Sequence, residues 1–132
     1  MQKKRLMILS LALPWVFNSV PAYAQTSKHT VSVDRIFSAR PRSMSYRYVV
    51  TITCQDAGEN ILQQPVKNSS FGWRIGGQIN TSTTDSNGRA EFTQTSFDGK
   101  LAEVLELVYK DKTMIFTAAQ GLQTIPVEQR CR

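Results

Sequence analysis

The chain has 132 residues, a formal net charge of +6, two cysteines and one histidine. A chain of this length forms one domain with a two-layer core and little surplus stability. A single histidine offers only one candidate base for a serine or cysteine nucleophile, so composition argues against most hydrolases that use a triad.

The first 24 residues have the three parts of a secretory signal peptide. A basic start at residues 3–5 precedes an apolar run at residues 6–17, and Ala22-Tyr23-Ala24 forms a small-residue cleavage site. We therefore expect cleavage after Ala24, with residues 25–132 as the exported domain, rather than a buried N-terminal helix. The removed part carries three basic residues and no acid, so the net charge falls from +6 to +3. The apolar run is shorter than the ~20 residues that cross a bilayer, and no later run is longer, so we expect a protein that does not span the membrane.

Both cysteines, Cys54 and Cys131, lie in the exported part. An even pair in an oxidising compartment predicts a disulfide, which would stabilise the domain by ~4 kcal/mol through loop closure. The alternative is a pair of reactive or metal-binding thiols, but the chain has neither CxxC spacing nor a nearby histidine.

The exported part consists of short alternating stretches separated by turn signals. The clearest is residues 46–55, where Tyr48, Val50, Ile52 and Cys54 share one face. Residues 38–43 contain Pro41 and are predicted to form a loop. Residues 101–109 fit a helix or a strand, and we choose strand because turn signals flank the segment. The remaining predicted strands are residues 29–37, 61–66 at an edge, 71–79, 78–84, 89–97, 113–118 and 122–127.

This pattern predicts an all-β fold, a single antiparallel β-sandwich of about seven to nine short strands closed by one disulfide. The stretch from Thr83 to Phe92 forms one of its corners, with Asp85, Asn87 and Gly88 as turn residues. We expect a hairpin-type turn there. It begins like a calcium loop but lacks the downstream bidentate glutamate, so no metal site is predicted.

Several segments together resemble the bacterial immunoglobulin-like domains of invasin and intimin (Big-1 type), and are similar to carboxypeptidase-regulatory and transthyretin-like sandwiches. The resemblance covers roughly residues 48–118 and implies an immunoglobulin-like or transthyretin-like sandwich. Transthyretin-like hydrolases use several histidines and a C-terminal tetrapeptide that this chain lacks, so the resemblance implies no catalysis here. The matching segments are Val50 to Cys54, Asp56-x-Gly58-Glu59-Asn60, Gln64-Pro65-Val66, Trp73-x-Ile75 and Thr83 to Phe92.

His29 and the acidic residues give little support for an enzyme. His29 lies near the start of the exported part, and we expect it to be a surface residue. Cross-strand carboxylate pairs such as Glu103 with Glu106, or Glu91 with Asp111, are conceivable, but sequence alone cannot set their separation. We expect no cofactor.

One basic and aromatic stretch is the candidate working surface. Arg35, Arg40, Arg42 and Arg47 flank Tyr46, and no acidic residue occurs from residue 36 to residue 55. Arginines beside aromatic side chains suit phosphate or carboxylate groups, although an ordinary solvated loop would look the same.

The sequence therefore predicts a non-catalytic, exported binding or assembly module of a bacterial cell envelope or surface, in the periplasm or outside the cell. Its expected partner is a protein or an anionic glycan or lipid, bound through the arginines or through a sheet edge that accepts a strand. A nucleic-acid partner is not expected, given the compartment and the modest charge. The alternatives are a periplasmic inhibitor of an envelope hydrolase or protease, acting through residues 67–70 or 98–100, and a small transthyretin-like enzyme. The sequence predicts no oligomeric state.

Overall fold

A computed structural model describes residues 26–58 and 63–131 of the chain. The predicted signal peptide lies outside the described residues. Those residues form nine antiparallel strands in two sheets and no helix, which confirms the predicted β-sandwich. The strands are β1 (Ser27–Arg40), β2 (Ser43–Asp56), β3 (Gln64–Pro65), β4 (Ser70–Arg74), β5 (Asn80–Thr83), β6 (Arg89–Ser96), β7 (Leu105–Tyr109), β8 (Lys112–Phe116) and β9 (Gln120–Val127).

The first sheet is built around β2. β1 pairs along the whole of one side of β2, and β9 pairs with the N-terminal half of β1. On its other side, β2 pairs with β6 and then with the short β3. Pro65 lies in β3 at the edge of this sheet, where its missing N–H removes no ladder bond. The second sheet has the order β5-β4-β7-β8.

The core lies between the two sheets and follows the two-residue period of the sequence. The first sheet contributes Val31, Val33, Tyr48, Val50 and Ile52, each at most 1% exposed. The second sheet contributes a matching apolar face from four residues on β4 and β7, namely Phe71, Leu105, Leu107 and Tyr109. Trp73 of β4 stacks on Phe92 of β6 with ring centroids 4.0 Å apart, so aromatic contact also joins the sheets.

The prediction of a loop at residues 38–43 is wrong. β1 continues to Arg40 and β2 begins at Ser43, so only Pro41 and Arg42 form the turn of one long hairpin. The strands stay paired through Phe37 with Tyr46 and onward to Arg40 with Ser43. Pro41 is compatible with this pairing because it lies in the turn, where no ladder bond needs its N–H.

The predicted strand at residues 101–109 begins only at Leu105. Residues 101–104 form a loop. The Gln94 side chain donates to the Ala102 carbonyl at 3.1 Å and accepts from the Ala102 N–H at 2.8 Å, so it takes the place of a strand partner. β7 and β8 then form the expected hairpin, turning at Lys110 and Asp111 with φ of 49° and 63°.

The sequence predicts a hairpin-type turn from Asp85 to Gly88, and this prediction is wrong. The turn carries the chain from β5 in the second sheet to β6 in the first. Asp85 Oδ1 accepts from the N–H groups of Asn87 and Arg89 at 2.8 and 3.0 Å, and Gly88 has φ of +75°. The three predicted turn residues therefore form an inter-sheet corner, and hydrogen bonding lowers the pKa of the Asp85 carboxyl.

The Cys54–Cys131 disulfide is present, with a Cα–Cα distance of 5.8 Å. It attaches the C-terminal tail to β2. Asp56 Oδ1 also accepts from the Cys131 N–H at 2.8 Å, and Ser27 donates to the Gln129 carbonyl at 2.6 Å. No helix of the described residues has the length and apolar character needed to cross a membrane.

Candidate functional site

The β1–β2 hairpin extends past β9 and forms an arm, defined here as residues 36–43. The last β1–β9 pair is Asp34 with Gln120, followed by one bond from the Arg35 N–H to the Ala119 carbonyl at 2.8 Å. Beyond that bond, no described strand pairs with the outer edge of β1. On the β2 side, β6 continues as far as Met44.

The open edge of the arm carries unpaired backbone groups. Peptide groups alternate sides along a strand, so the N–H groups of Phe37 and Ala39 point outward, as that of Arg35 does. Ile36 and Phe37 beside them are 43% and 53% exposed. An open edge with exposed apolar residues is a template for pairing with another strand.

The four predicted arginines do not have equivalent surroundings. Arg35 and Arg47 form ion pairs with Glu103 and Glu91 at 3.3 and 3.0 Å. Arg40 and Arg42 lie at the tip of the arm, exposed, and no described carboxylate lies within ion-pair distance of either. The tip therefore presents two guanidinium groups that no described side chain neutralises.

Arg35 is part of the packing at the base of the arm. Its guanidinium lies 4.3 Å from the centroid of the Tyr46 ring and donates to the Glu103 carbonyl at 3.0 Å. Its side chain is 11% exposed. Tyr46 donates to Glu103 Oε2 at 3.0 Å, and this bond is the main reason that the pKa of the Tyr46 hydroxyl is raised. Arg35, Tyr46 and Glu103 thus form one cluster that fixes the loop at residues 101–104 under the arm.

A row of aromatic rings supports the arm from the core. Phe37 contacts Tyr46 edge to face, and Tyr46 contacts Tyr48 in the same way, with centroids 5.9 and 6.2 Å apart. Tyr48 stacks on Phe92 at 5.2 Å. Because each ring contacts the next, the arm is anchored to the buried core rather than free to swing.

No protein-family model, curated protein or solved structure matches the chain. The resemblance to immunoglobulin-like and transthyretin-like sandwiches therefore stays a prediction.

The expectation that His29 is a surface residue is wrong. His29 is 7% exposed in β1, and its Nδ1 lies 2.7 Å from the Tyr109 hydroxyl on the opposite sheet. Burial is the main cause of the lowered pKa of His29, and the charge of Lys110 adds to it. The sequence carried a signal for this position, because His29 is in phase with the core residues Val31 and Val33.

The two loops predicted for an inhibitor are both held by local bonds. Residues 67–70 are tied to Thr84, which accepts from the Asn68 N–H and donates its hydroxyl to the Val66 carbonyl. In the other loop, the Ser96 hydroxyl donates to Asp98 at 2.6 Å. Within the described residues, no group of three or more histidine, cysteine or acidic side chains is placed to hold a metal ion.

Proposed function

We propose that this protein is an exported, non-catalytic binding or assembly module of a bacterial cell envelope or surface, and that the arm is its partner contact. The observation that carries the proposal is the arm itself: an open strand edge whose tip bears the unpaired Arg40 and Arg42. Two unneutralised guanidinium groups favour an anionic partner.

A protein with an extended acidic segment suits this surface better than a glycan or lipid. The outward peptide groups of Phe37 and Ala39 need alternating donors and acceptors, which another backbone strand supplies in register. Carboxylates on that strand would meet Arg40 and Arg42, and its apolar side chains would cover Ile36 and Phe37. A glycan or lipid would use the arginines alone.

The disulfide supports the export part of the proposal. A bond between Cys54 and Cys131 forms and persists in oxidising compartments, such as the periplasm or the cell exterior. It agrees with the signal-peptide pattern of the first 24 residues.

A crosslinking pull-down from the native envelope tests the proposal. The wild-type protein is compared with the Arg40→Ala/Arg42→Ala variant and with a control, Lys100→Ala/Lys112→Ala, which loses the same charge at exposed sites outside the arm. We expect the arm variant to lose its crosslinked partner while its melting temperature stays within a degree or two of wild type. Unchanged capture, or an equal loss in the control, would reject the arm as the contact.

A further inference from the structure

A cavity of about 510 Å³ lies at the end of the sandwich opposite the arm. His29 lines it, and the eleven residue steps of extended strand from His29 to Arg40 at the tip span roughly 36 Å. The apolar walls of the cavity are formed by Pro65, Val66, Val127 and the Cys54–Cys131 disulfide. The volume lies within the range of small-molecule sites, which run from about 300 to 1,000 Å³.

The charged residues that line the cavity are all cationic within the described part of the chain. They are Lys67, Lys110 and Arg130, and no aspartate or glutamate of residues 26–58 and 63–131 lines it. Arg130 also contacts Asp56 at 3.5 Å, so Lys67 and Lys110 provide the excess positive charge. Lys110 occupies the β7–β8 turn with φ of 49°, which fixes the direction in which its side chain leaves the backbone. Its charge also contributes to the lowered pKa of His29, so its field extends to the wall of the cavity.

A hydrogen bond to Tyr109 orients His29 in the wall of the cavity. The Tyr109 hydroxyl of the opposite sheet lies 2.7 Å from His29 Nδ1. This bond fixes the orientation of the imidazole ring, and the lowered pKa of His29 favours its neutral form in the lining of a cationic cavity.

We propose that this cavity binds a small organic oxyanion, with a carboxylate, sulfonate or phosphate group near Lys67 and Lys110. The apolar body of the ligand packs against Val66, Val127 and the disulfide. This site is separate from the arm, and neither depends on the other.

Naphthalene-1-sulfonate is a suitable probe, and naphthalene-1-sulfonamide is its neutral match. Each is titrated into the ¹⁵N-labelled exported domain, with amide shifts as the readout. We expect saturable binding of the sulfonate, with shifts at Lys67, Lys110 and Val127 and none at Arg40 or Arg42. The sulfonamide should bind several-fold more weakly, and inorganic sulfate alone should bind more weakly than the sulfonate because it has no apolar body.

Matched lysine variants complete the test. Lys67→Gln and Lys110→Asn should each weaken sulfonate binding up to about fivefold, the effect of removing one partly exposed ion pair. Asn is chosen at position 110 because it tolerates positive φ. The control Lys100→Gln/Lys112→Gln should leave the affinity unchanged. Equal binding of sulfonate and sulfonamide, equal loss in the control, or no saturable binding at ~10 mM probe would overturn the proposal.

Discussion

Gly88 allows the sharpest quantitative test of the fold, because its replacement by alanine combines two separable penalties. It lies in the inter-sheet corner with φ of +75°, where a Cβ atom is disfavoured by about 1–2 kcal/mol. A Cβ there would also lie 2.6 Å from the Ile52 carbonyl oxygen and 3.1 Å from the Val66 nitrogen. Both are backbone atoms, so no side chain can rotate away to relieve the contact.

The contact reaches the central strand of the first sheet. Ile52 donates to the Gly88 carbonyl at 2.8 Å and accepts from the Val66 N–H at 2.9 Å. Moving the corner away would weaken both bonds, each worth about 0.5–1.5 kcal/mol. We therefore expect Gly88→Ala to lower the free energy of unfolding by about 2–5 kcal/mol. The melting temperature should fall by at least ~8 °C in a domain of this size.

Three other glycines separate the contributions. Gly99 has φ of +80° with nothing within 4 Å of an added Cβ, so Gly99→Ala measures the backbone penalty alone. At Gly121 an added Cβ would lie 2.6 Å from a Phe116 ring carbon without a positive φ, which isolates steric contact with a side chain. Gly77 has neither feature, so Gly77→Ala should change stability by no more than ~0.5 kcal/mol. Denaturant unfolding measures all four variants, and a Gly88→Ala cost no larger than that of Gly99→Ala would refute the reasoning.

Three further predictions concern the arm base, the buried histidine and the disulfide. Arg35→Ala should lower the free energy of unfolding by about 1–3 kcal/mol because it removes the Tyr46 contact and the bonds to Glu103. Arg40→Ala should lower it by less than ~0.5 kcal/mol. Equal losses for the two variants in urea unfolding would contradict this distinction. Folding lowers the pKa of His29 from its unfolded value of 6.5. The stability that the neutral, buried histidine contributes is therefore complete above pH 6.5 and is lost as the pH falls toward the folded pKa. The free energy of unfolding should change by at most ~1.4 kcal/mol per pH unit in this range. His29→Gln should flatten the stability profile between pH 7 and pH 5, and a slope unchanged in that variant would exclude His29 as its cause. Exported protein should take up no alkylating label without reductant, and two labels on unreduced protein would contradict the disulfide. The Cys54→Ser/Cys131→Ser variant should have a free energy of unfolding about 2–5 kcal/mol lower than wild type.

The sequence predicted the fold because its informative signals are local. The alternation of apolar and polar residues along residues 46–55 predicted which face of β2 lies in the core. A two-residue period can be recognised from one segment without the rest of the chain. Gly88 and Asp85 marked a turn through their own backbone chemistry. The same signals could not say that β5 and β6 belong to different sheets, because a corner and a hairpin use the same turn residues.

The candidate site was predictable only in part. The arginine-rich segment was visible, but the ion pair between Arg35 and Glu103 joins residues 68 positions apart in the sequence. No local pattern could separate Arg35, which packs at the base of the arm, from Arg40 at its tip. The cavity was missed for the same reason: Lys67, Lys110 and His29 come from three distant segments that meet only in the folded sandwich.

A photocrosslinker at position 37 tests the central claim that the arm is the partner contact. A benzophenone amino acid replaces Phe37, and in a control protein it replaces Ile115, which is 50% exposed against 53% for Phe37 but lies on β8 of the other sheet. After irradiation in the native envelope, we predict a discrete adduct from position 37 that is absent from position 115 and disappears with Arg40→Ala/Arg42→Ala. Adducts of equal yield from both positions, or none from position 37, would contradict the claim.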